Sequence, residues 1–256
     1  MNPAFAYLYD QMAADPRYER DLALMEAELG RRGIDGRIAR ESMFRDAQQM
    51  IREFVKLGMK NIVIVGNDQS LLGLIPSLQD LDVTIGYIPL GDVGPLARML
   101  GIPSGIGAVD VIAARLVETI DLGRVNGRPF LTEAVLPATK ASVFIKQQYR
   151  LSPHEGGAIG IRNLGSPAAD GSSSADPKDG WLDLVIQTRP PKGGFSKILS
   201  RGRLEETRMP IKEALLEAGG LVDLFVDGAT ITGEKFAFTI QPQSLRLITG
   251  RGRKLA

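Results

Sequence analysis

The sequence contains no cysteine and a single histidine among its 256 residues. The lack of cysteine excludes disulfides, thiolate nucleophiles, iron–sulfur clusters and zinc sites of the Cys/His type. A Ser/His/Asp triad would have to use His154 as its base. A divalent cation held by carboxylate oxygens stays open, because Asp and Glu together number 30.

No excess of one charge and no long apolar run marks the chain for a particular partner. Lys and Arg number 31 against 30 acidic residues, a net charge of +1, so no long-range field attracts nucleic acid. No apolar run approaches the length of about 18 residues that a membrane-crossing helix needs. The first apolar run, residues 4–8, is too short for a signal peptide. We therefore expect a cytoplasmic protein with no nucleic-acid partner.

Residues 1–122 alternate short apolar runs with amphipathic segments. The run Asn61–Val65 is rich in β-branched residues and is typical of a strand buried on both faces of a parallel sheet. This alternation predicts an N-terminal α/β domain that is Rossmann-like, with a parallel, doubly wound sheet. The predicted strands cover residues 4–9, 36–39, 61–65 and 83–88, and the predicted helices cover 17–32, 45–59, 71–78, 96–100 and 109–117.

Residues 123–256 show a different sequence pattern, in which short strand-like segments are separated by turn residues. Pairs such as Asn126-Gly127 and Asp227-Gly228 are hairpin signals. The pattern predicts a C-terminal antiparallel β-rich domain that resembles a β-sandwich. The predicted strands cover residues 130–136, 142–147, 158–162, 181–188, 221–226, 235–240 and 244–249. Residues 166–179 are predicted to form a polar loop. Lys192, Lys197, Arg201 and Arg203 form a basic cluster in the sequence.

The strongest candidate for chemistry is the turn after the strand at 61–65. There Gly66 is followed by polar residues and then by a helix, which places backbone N–H groups where an anion such as phosphate can bind. The turn reads Gly66-Asn67-Asp68-Gln69-Ser70. Asp68 could hold a metal-bound water or accept a proton, and Ser70 could touch a phosphate. The alternative is structural, with Asp68 or Ser70 serving only as the N-cap of the helix.

A second turn follows the next strand and contains Gly91 and Asp92. Ligands of open parallel sheets collect beyond the carboxyl ends of the strands, so two adjacent Gly/Asp turns fit such a crevice. The alternative is a plain turn in which Pro95 begins the next helix.

Several segments, in this order, resemble the diacylglycerol kinase catalytic domain family, which includes bacterial lipid kinases and sphingosine kinases. The resemblance spans most of the chain. Val63–Leu71 is similar to the family's strand that ends in G-G-D-G-T. Ile88–Gly91 and then Leu96–Pro103 are similar to I-P-L-G-T-G-N-D-F-A-R-x-L-G-I-P, Ile120–Phe130 to I-D-x-G-x-V-N-G-x-x-F, Asp179–Leu184 to D-G-x-L-D-L, and Val226–Gly228 to the start of V-D-G-E.

The resemblance implies ATP-dependent phosphoryl transfer to a lipid hydroxyl, with Mg as the metal. It implies that Asp68 is the catalytic residue and a metal ligand. It also implies a lipid substrate at a membrane surface, which the protein would contact peripherally, and pairing of two copies as a homodimer. The nucleotide would bind Gly66, Asn67, Asp68, Gln69, Ser70, Gly91 and Asp92.

The departures from the family pattern fall on these same loops. Asn67 and Gln69 replace glycines, and Gln tolerates the left-handed backbone poorly. The G-T-G-N-D segment has become residues 91–95, and Ala229 replaces the glutamate of D-G-E, which is the expected catalytic base. The N-P-x-S-G motif after the first strand is also missing.

Two hypotheses follow from these departures. The chain is an ATP-dependent lipid kinase with altered loops, or it is a catalytically degenerate pseudokinase that serves as a scaffold for a nucleotide, another small molecule or a protein. A third possibility is a changed phosphoryl donor or acceptor, with Asp10, Asp68 and Asp92 forming an acidic metal-binding patch.

Overall fold

The structure is a computed structural model that describes residues 4–42, 46–137, 140–146, 148–153, 157–165, 175–188 and 205–255. His154, most of the predicted polar loop and the whole basic cluster lie outside the described residues. Within them, no helix combines the length and the apolar character needed to cross a bilayer.

The chain divides into two compact units. The first contains the described residues up to Asp121 together with those from Gln243 onward, and the second lies within Leu122–Pro242. The predicted boundary after residue 122 is adjacent to this division. The described residues from Gln243 onward were predicted as part of the second domain, and the structure groups them with the first unit.

A parallel sheet forms the centre of the first unit. Its order is β4-β3-β1-β2, and the end of β14 adds to β4 through the parallel pair Leu247 and Ile85. Every residue of β1, β3 and β4 is buried, as expected for strands covered on both faces. The strands are β1 (Phe5–Tyr9), β2 (Arg37–Arg40), β3 (Asn61–Gly66) and β4 (Thr84–Pro89).

Five α-helices accompany this sheet in the described residues. Their inward faces follow the apolar spacing of the sequence: α1 buries Leu22, Met25 and Leu29. Asp46 begins α2 by accepting a hydrogen bond from the Gln49 backbone N–H at 2.7 Å. The helices are α1 (Glu19–Arg31), α2 (Ala47–Lys56), α3 (Asp68–Leu78), α4 (Pro95–Met99) and α5 (Ile106–Ala114).

The second unit consists of β-strands around an apolar core that includes Phe130, Phe236 and Phe238. Its pairing is antiparallel, in the order β12-β11-β10-β7-β13-β14, with β8 beside β13, β9 beside β8 and β6 beside β5. The strands are β5 (Leu116–Val125), β6 (Arg128–Phe130), β7 (Glu133–Leu136), β8 (Ala141–Ile145), β9 (Tyr149–Leu151), β10 (Ala158–Arg162), β11 (Leu182–Thr188), β12 (Glu205–Ile211), β13 (Glu213–Val226) and β14 (Ala229–Thr249). The predicted fold class, a parallel α/β domain followed by an antiparallel β-rich region, is confirmed.

Some element boundaries differ from the sequence prediction. The helix predicted over 109–117 ends at Ala114, because Arg115 adopts a left-handed conformation with φ of 49° and β5 follows at once. The strands predicted over 235–240 and 244–249 are parts of the single strand β14. β12 went unpredicted because its sequence, EETRMPI, is charged and holds a proline, so it lacks the alternation of a typical strand.

Candidate functional site

The predicted site residues lie at the carboxyl end of the parallel sheet in the first unit. Along the sheet, β2 lies on one side of β1 and β3 on the other, so the order of strands reverses between β1 and β3. Loops at such a reversal diverge and leave a crevice, which is where open α/β sheets bind ligands. The loop after β1 and the turn after β3 border this region, and the turn after β4 lies on the other side of β3.

The first turn satisfies its own helix terminus. The Asn67 side chain accepts a hydrogen bond from the Ser70 backbone N–H at 3.0 Å, and the Ser70 hydroxyl accepts one from the Asn67 backbone N–H at 2.9 Å. These two bonds are a capping box. The N-cap is therefore Asn67, with Ser70 three residues later, and the expectation that Asp68 or Ser70 is the cap is wrong.

The backbone of this turn does not need glycine at the two substituted positions. Asn67 has φ of −110°, and Gln69 is not among the residues with positive φ. The expected strain at Gln69 is therefore absent. Gly66 does need its small size, because a Cβ there would overlap the Ser70 hydroxyl.

Asp68 points from the start of α3 to the start of α4. Its Oδ2 accepts a hydrogen bond from the Leu96 backbone N–H at 2.8 Å, and its Oδ1 accepts one from the Ala97 backbone N–H at 3.3 Å. A Cβ at Gly94 would overlap this carboxylate, so the glycine is what permits the approach. Asp68 thus caps α4 from outside that helix.

A buried tyrosine supplies the third hydrogen bond to this carboxylate. Tyr87, in β4, is 1% exposed, and its hydroxyl donates to Oδ1 of Asp68 at 3.0 Å. Burial, then the negative charge of Asp68, raise the pKa of Tyr87 far above its ordinary value. The phenol is therefore a hydrogen-bond donor at every physiological pH.

The second turn exposes both of its predicted site residues. Gly91 has φ of 81°, and a Cβ there would contact the hydroxyl of Tyr18. The left-handed backbone therefore requires glycine at this position. Asp92 is exposed, and no described residue forms a hydrogen bond or ion pair with it.

The proposed acidic patch does not form. Among the described residues, which include Asp10, Asp68 and Asp92, no three acidic or histidine side chains are close enough to hold a metal ion together. Asp10 instead accepts a hydrogen bond from the Met12 backbone N–H at 2.8 Å and begins a short 3₁₀ helix.

Mg-ATP fits this donor set poorly. The Asn67 and Ser70 N–H groups of the first turn are bonded within the capping box, and the Leu96 and Ala97 N–H groups at the start of α4 are bonded to Asp68. Asp68, which reaches from the first turn to the start of α4, already accepts three hydrogen bonds, and among the described residues no three acidic or histidine side chains could hold a metal ion together. We derive no phosphoryl-transfer step through this arrangement.

A cavity of about 240 Å³ opens next to the first turn. Its floor is formed by Leu8 and Ile64, which are paired neighbours on β1 and β3. Its walls come from α2 and α3, and its polar lining residues follow the ends of β1, β2 and β3. The described lining residues are Leu8, Asp10, Glu41, Ala47, Ile64, Gln69, Ser70, Gly73 and Leu74.

Sequence reasoning missed Glu41, which directly follows β2 and lines this cavity. No motif surrounds it, so its position in the fold was the only signal that could have identified it. Burial, and then the nearby charges of Asp10 and Asp46, raise the pKa of Glu41.

The second unit holds the remaining candidates. Asp227 and Gly228 form the turn between β13 and β14, so the predicted hairpin is confirmed. The Asp227 carboxylate accepts hydrogen bonds from the backbone N–H groups of Leu131 at 2.6 Å, Thr132 at 2.9 Å and Glu133 at 3.2 Å. It also accepts one from the Thr132 hydroxyl at 2.5 Å. Asp227 is therefore engaged in holding a loop, and Ala229 offers no carboxylate beside it.

The known proteins that this chain resembles in sequence are diacylglycerol kinases and a lipid kinase-like protein. Residues 5–125 match the model of the diacylglycerol kinase catalytic domain. A protein of Pseudomonas aeruginosa named "Probable lipid kinase YegS-like" is 27% identical over 82% of this chain and 83% of its own length. A diacylglycerol kinase of Bacillus subtilis is 26% identical over 50% of this chain and 43% of its own.

The solved structures agree on the fold. The crystal structure of a diacylglycerol kinase from Bacillus anthracis superimposes with a TM-score of 0.79, covering 98% of both chains at 16% sequence identity. At that identity the likeness establishes the shared fold alone.

Proposed function

Since this chain belongs to the diacylglycerol kinase catalytic domain family, we propose that it is a lipid kinase-like protein in which phosphoryl transfer has been lost and small-molecule binding remains. This proposal rests on the three hydrogen bonds that the Asp68 carboxylate accepts from the Leu96 N–H, the Ala97 N–H and the Tyr87 hydroxyl. Phosphoryl transfer depends on free donors and a metal that neutralise the phosphate charge.

The first turn supports the same proposal. The Asn67 and Ser70 N–H groups, which a phosphate at this turn could otherwise use, are already bonded within the capping box. Breaking such a cap costs about 1 kcal/mol, and the phosphate would gain little in return because its binding groups are shared with the helix. Ala229, in the position of the expected base, cannot accept a proton.

Thermal unfolding with Mg-ATP tests the proposal. A nucleotide present at 100 times its dissociation constant stabilises a protein by about 2.7 kcal/mol. We expect no stabilisation of the wild type by millimolar Mg-ATP and no label transferred from γ-labelled ATP to diacylglycerol or sphingosine-like lipids in vesicles. A nucleotide-dependent shift that Asp68→Ala abolishes, accompanied by labelled lipid, would overturn it.

The alternative function is ATP-dependent phosphoryl transfer to a lipid hydroxyl at a membrane surface. It is favoured by the acidic residue retained at position 68 and by similarity to a named lipid kinase along 82% of the chain. In that case ATP and Mg would bind at Gly66, Asn67, Asp68, Gln69, Ser70, Gly91 and Asp92. The same labelling experiment decides between the two, and pairing of two copies stays a prediction.

A further inference from the structure

The turn between β5 and β6 contains the one asparagine of the sequence that is followed by glycine, Asn126-Gly127. Both residues are exposed and have a positive φ, 48° for Asn126 and 80° for Gly127. Such values are typical of a type I′ hairpin turn, for which asparagine followed by glycine is a favoured pair. The same pair is chemically labile, because glycine has no side chain that shields its backbone nitrogen from the asparagine amide.

Loss of the asparagine amide needs only water besides these two residues. The Gly127 backbone nitrogen gives up its proton and attacks Cγ of Asn126, which closes a succinimide ring, and the side-chain nitrogen leaves as ammonia. Water then opens the ring to aspartate or isoaspartate. Both residues are exposed, and a Cβ at Gly127 would meet nothing within 4 Å, so water reaches the turn. The reaction therefore depends on whether the amide is free to turn toward Gly127.

The Asn126 side chain is bound to β14 instead. Its Nδ2 donates a hydrogen bond to the Lys235 carbonyl oxygen at 3.2 Å, and its Oδ1 accepts one from the Ala237 backbone N–H at 2.8 Å. The Asn126 backbone N–H also donates to the Ala237 carbonyl oxygen, at 2.9 Å. Both polar atoms of the amide are engaged, so the amide turns toward Gly127 only after its bonds to β14 have broken.

Arg124 holds the other half of the turn. Its Nη1 donates to the Gly127 carbonyl oxygen at 2.9 Å, and its Nε donates to the Gln241 side chain on β14. The glycine that would attack and the asparagine that would be attacked are thus each tied to the same strand. Local opening of this contact has to precede the reaction.

We infer that Asn126 is a latent deamidation site, which the native fold keeps closed through the bonds to β14 and which opens when the turn detaches from that strand. Aspartate has no N–H that could donate to the Lys235 carbonyl oxygen, and isoaspartate adds a methylene group to the backbone as well. The modified turn therefore binds β14 less well than the original. The inference is independent of the proposed function, because all of these residues belong to the second unit.

Peptide mapping by mass spectrometry tests the inference on the full chain. The protein is incubated at mildly alkaline pH in native buffer and in the same buffer with guanidinium chloride at an unfolding concentration. The two side-chain hydrogen bonds are expected to make deamidation of Asn126 about tenfold slower, or slower still, in the native protein than in the unfolded chain.

Variants of two arginines locate the protection. Arg124→Ala removes the bonds to Gly127 and Gln241 without changing the reacting atoms, so it is expected to raise the native rate several-fold and to leave the rate in guanidinium chloride unchanged. Arg128→Ala is the matched control, since Arg128 is exposed beside the same turn and its side chain bonds to no described residue. Melting temperatures of all variants establish that each is folded.

Asn126→Asp copies one product of the reaction and is expected to melt at a lower temperature than the wild type. A melting temperature equal to that of the wild type would overturn the weakening that we assign to the modified turn. The inference itself is overturned if the wild type deamidates equally fast in both buffers, or if Arg124→Ala raises the native rate no more than Arg128→Ala does. The comparison of the wild type in the two buffers needs no variant, so it decides even where a variant fails to fold.

Discussion

The Tyr87 hydroxyl and the Asp68 carboxylate are joined by a hydrogen bond of 3.0 Å between β4 and α3. Tyr87 lies in the middle of a buried strand, so its ring cannot turn away without opening the core. The bond therefore fixes the orientation of a carboxylate that also caps α4. Asp68 therefore stabilises the fold of the first unit through its hydrogen bonds.

Tyr87→Phe is expected to lower the free energy of unfolding by about 1.5 kcal/mol, since it removes one bond to a charged acceptor and preserves the ring. Urea denaturation followed by circular dichroism measures the change. Tyr149→Phe is the control, because Tyr149 is 63% exposed and its hydroxyl should not matter. Equal stabilities of the two variants would contradict the role given to Tyr87.

Asp68→Ala is expected to destabilise the protein by about 2–3 kcal/mol. It leaves the N–H groups of the buried residues Leu96 and Ala97 without their acceptor. Asp92→Ala, at an exposed carboxylate in the neighbouring turn, should change the stability by no more than about 0.5 kcal/mol. A neutral Asp68→Ala variant would show that the carboxylate is not needed as a cap.

Gly94→Ala is expected to cost about 2 kcal/mol because the added methyl group overlaps the Asp68 carboxylate. The backbone at Gly94 has φ of −70°, so the effect is steric and not conformational. Gly30→Ala provides the contrast: a Cβ there meets nothing within 4 Å, and it should stabilise α1 by about 0.5–1 kcal/mol. Thermal unfolding of the two variants should therefore shift in opposite directions.

Asp227→Ala is expected to destabilise the second unit by about 3 kcal/mol, because three backbone N–H groups and a hydroxyl lose one shared acceptor. Fluorescence of Trp181, the one tryptophan of the chain, reports unfolding of this unit. Glu234→Ala, at an exposed position on β14, is the control. A small effect would mean that other bonds hold the loop.

The sequence predicted the strand and the turn around Asp68 better than it predicted the hydrogen bonds of Asp68. The β-branched run at β3 and the polar turn after it correctly predicted that a buried strand and then a helix flank Asp68, since burial and turn chemistry are local signals. The bond from Tyr87 and the cap on Leu96 join residues 19 and 28 positions from Asp68, and no local pattern reports such contacts. Glu41 carries no motif at all and acquires its place only when β2 is positioned beside β1.

For β14, the sequence pattern predicted a break that the structure does not have. Pro242 and the polar residues around it interrupt the alternation and suggested two strands, yet tertiary pairing with β13 and β4 keeps one strand continuous.

The return of the last residues to the first unit has a consequence for biosynthesis. Leu247 pairs with Ile85 on the open side of β4, and the N–H of Gly250 donates to the Leu100 carbonyl at 2.9 Å. These contacts form only after residues 247–250 have been synthesised, long after β4 itself. During synthesis of the intervening residues, the parallel sheet therefore keeps the edge of β4 uncovered.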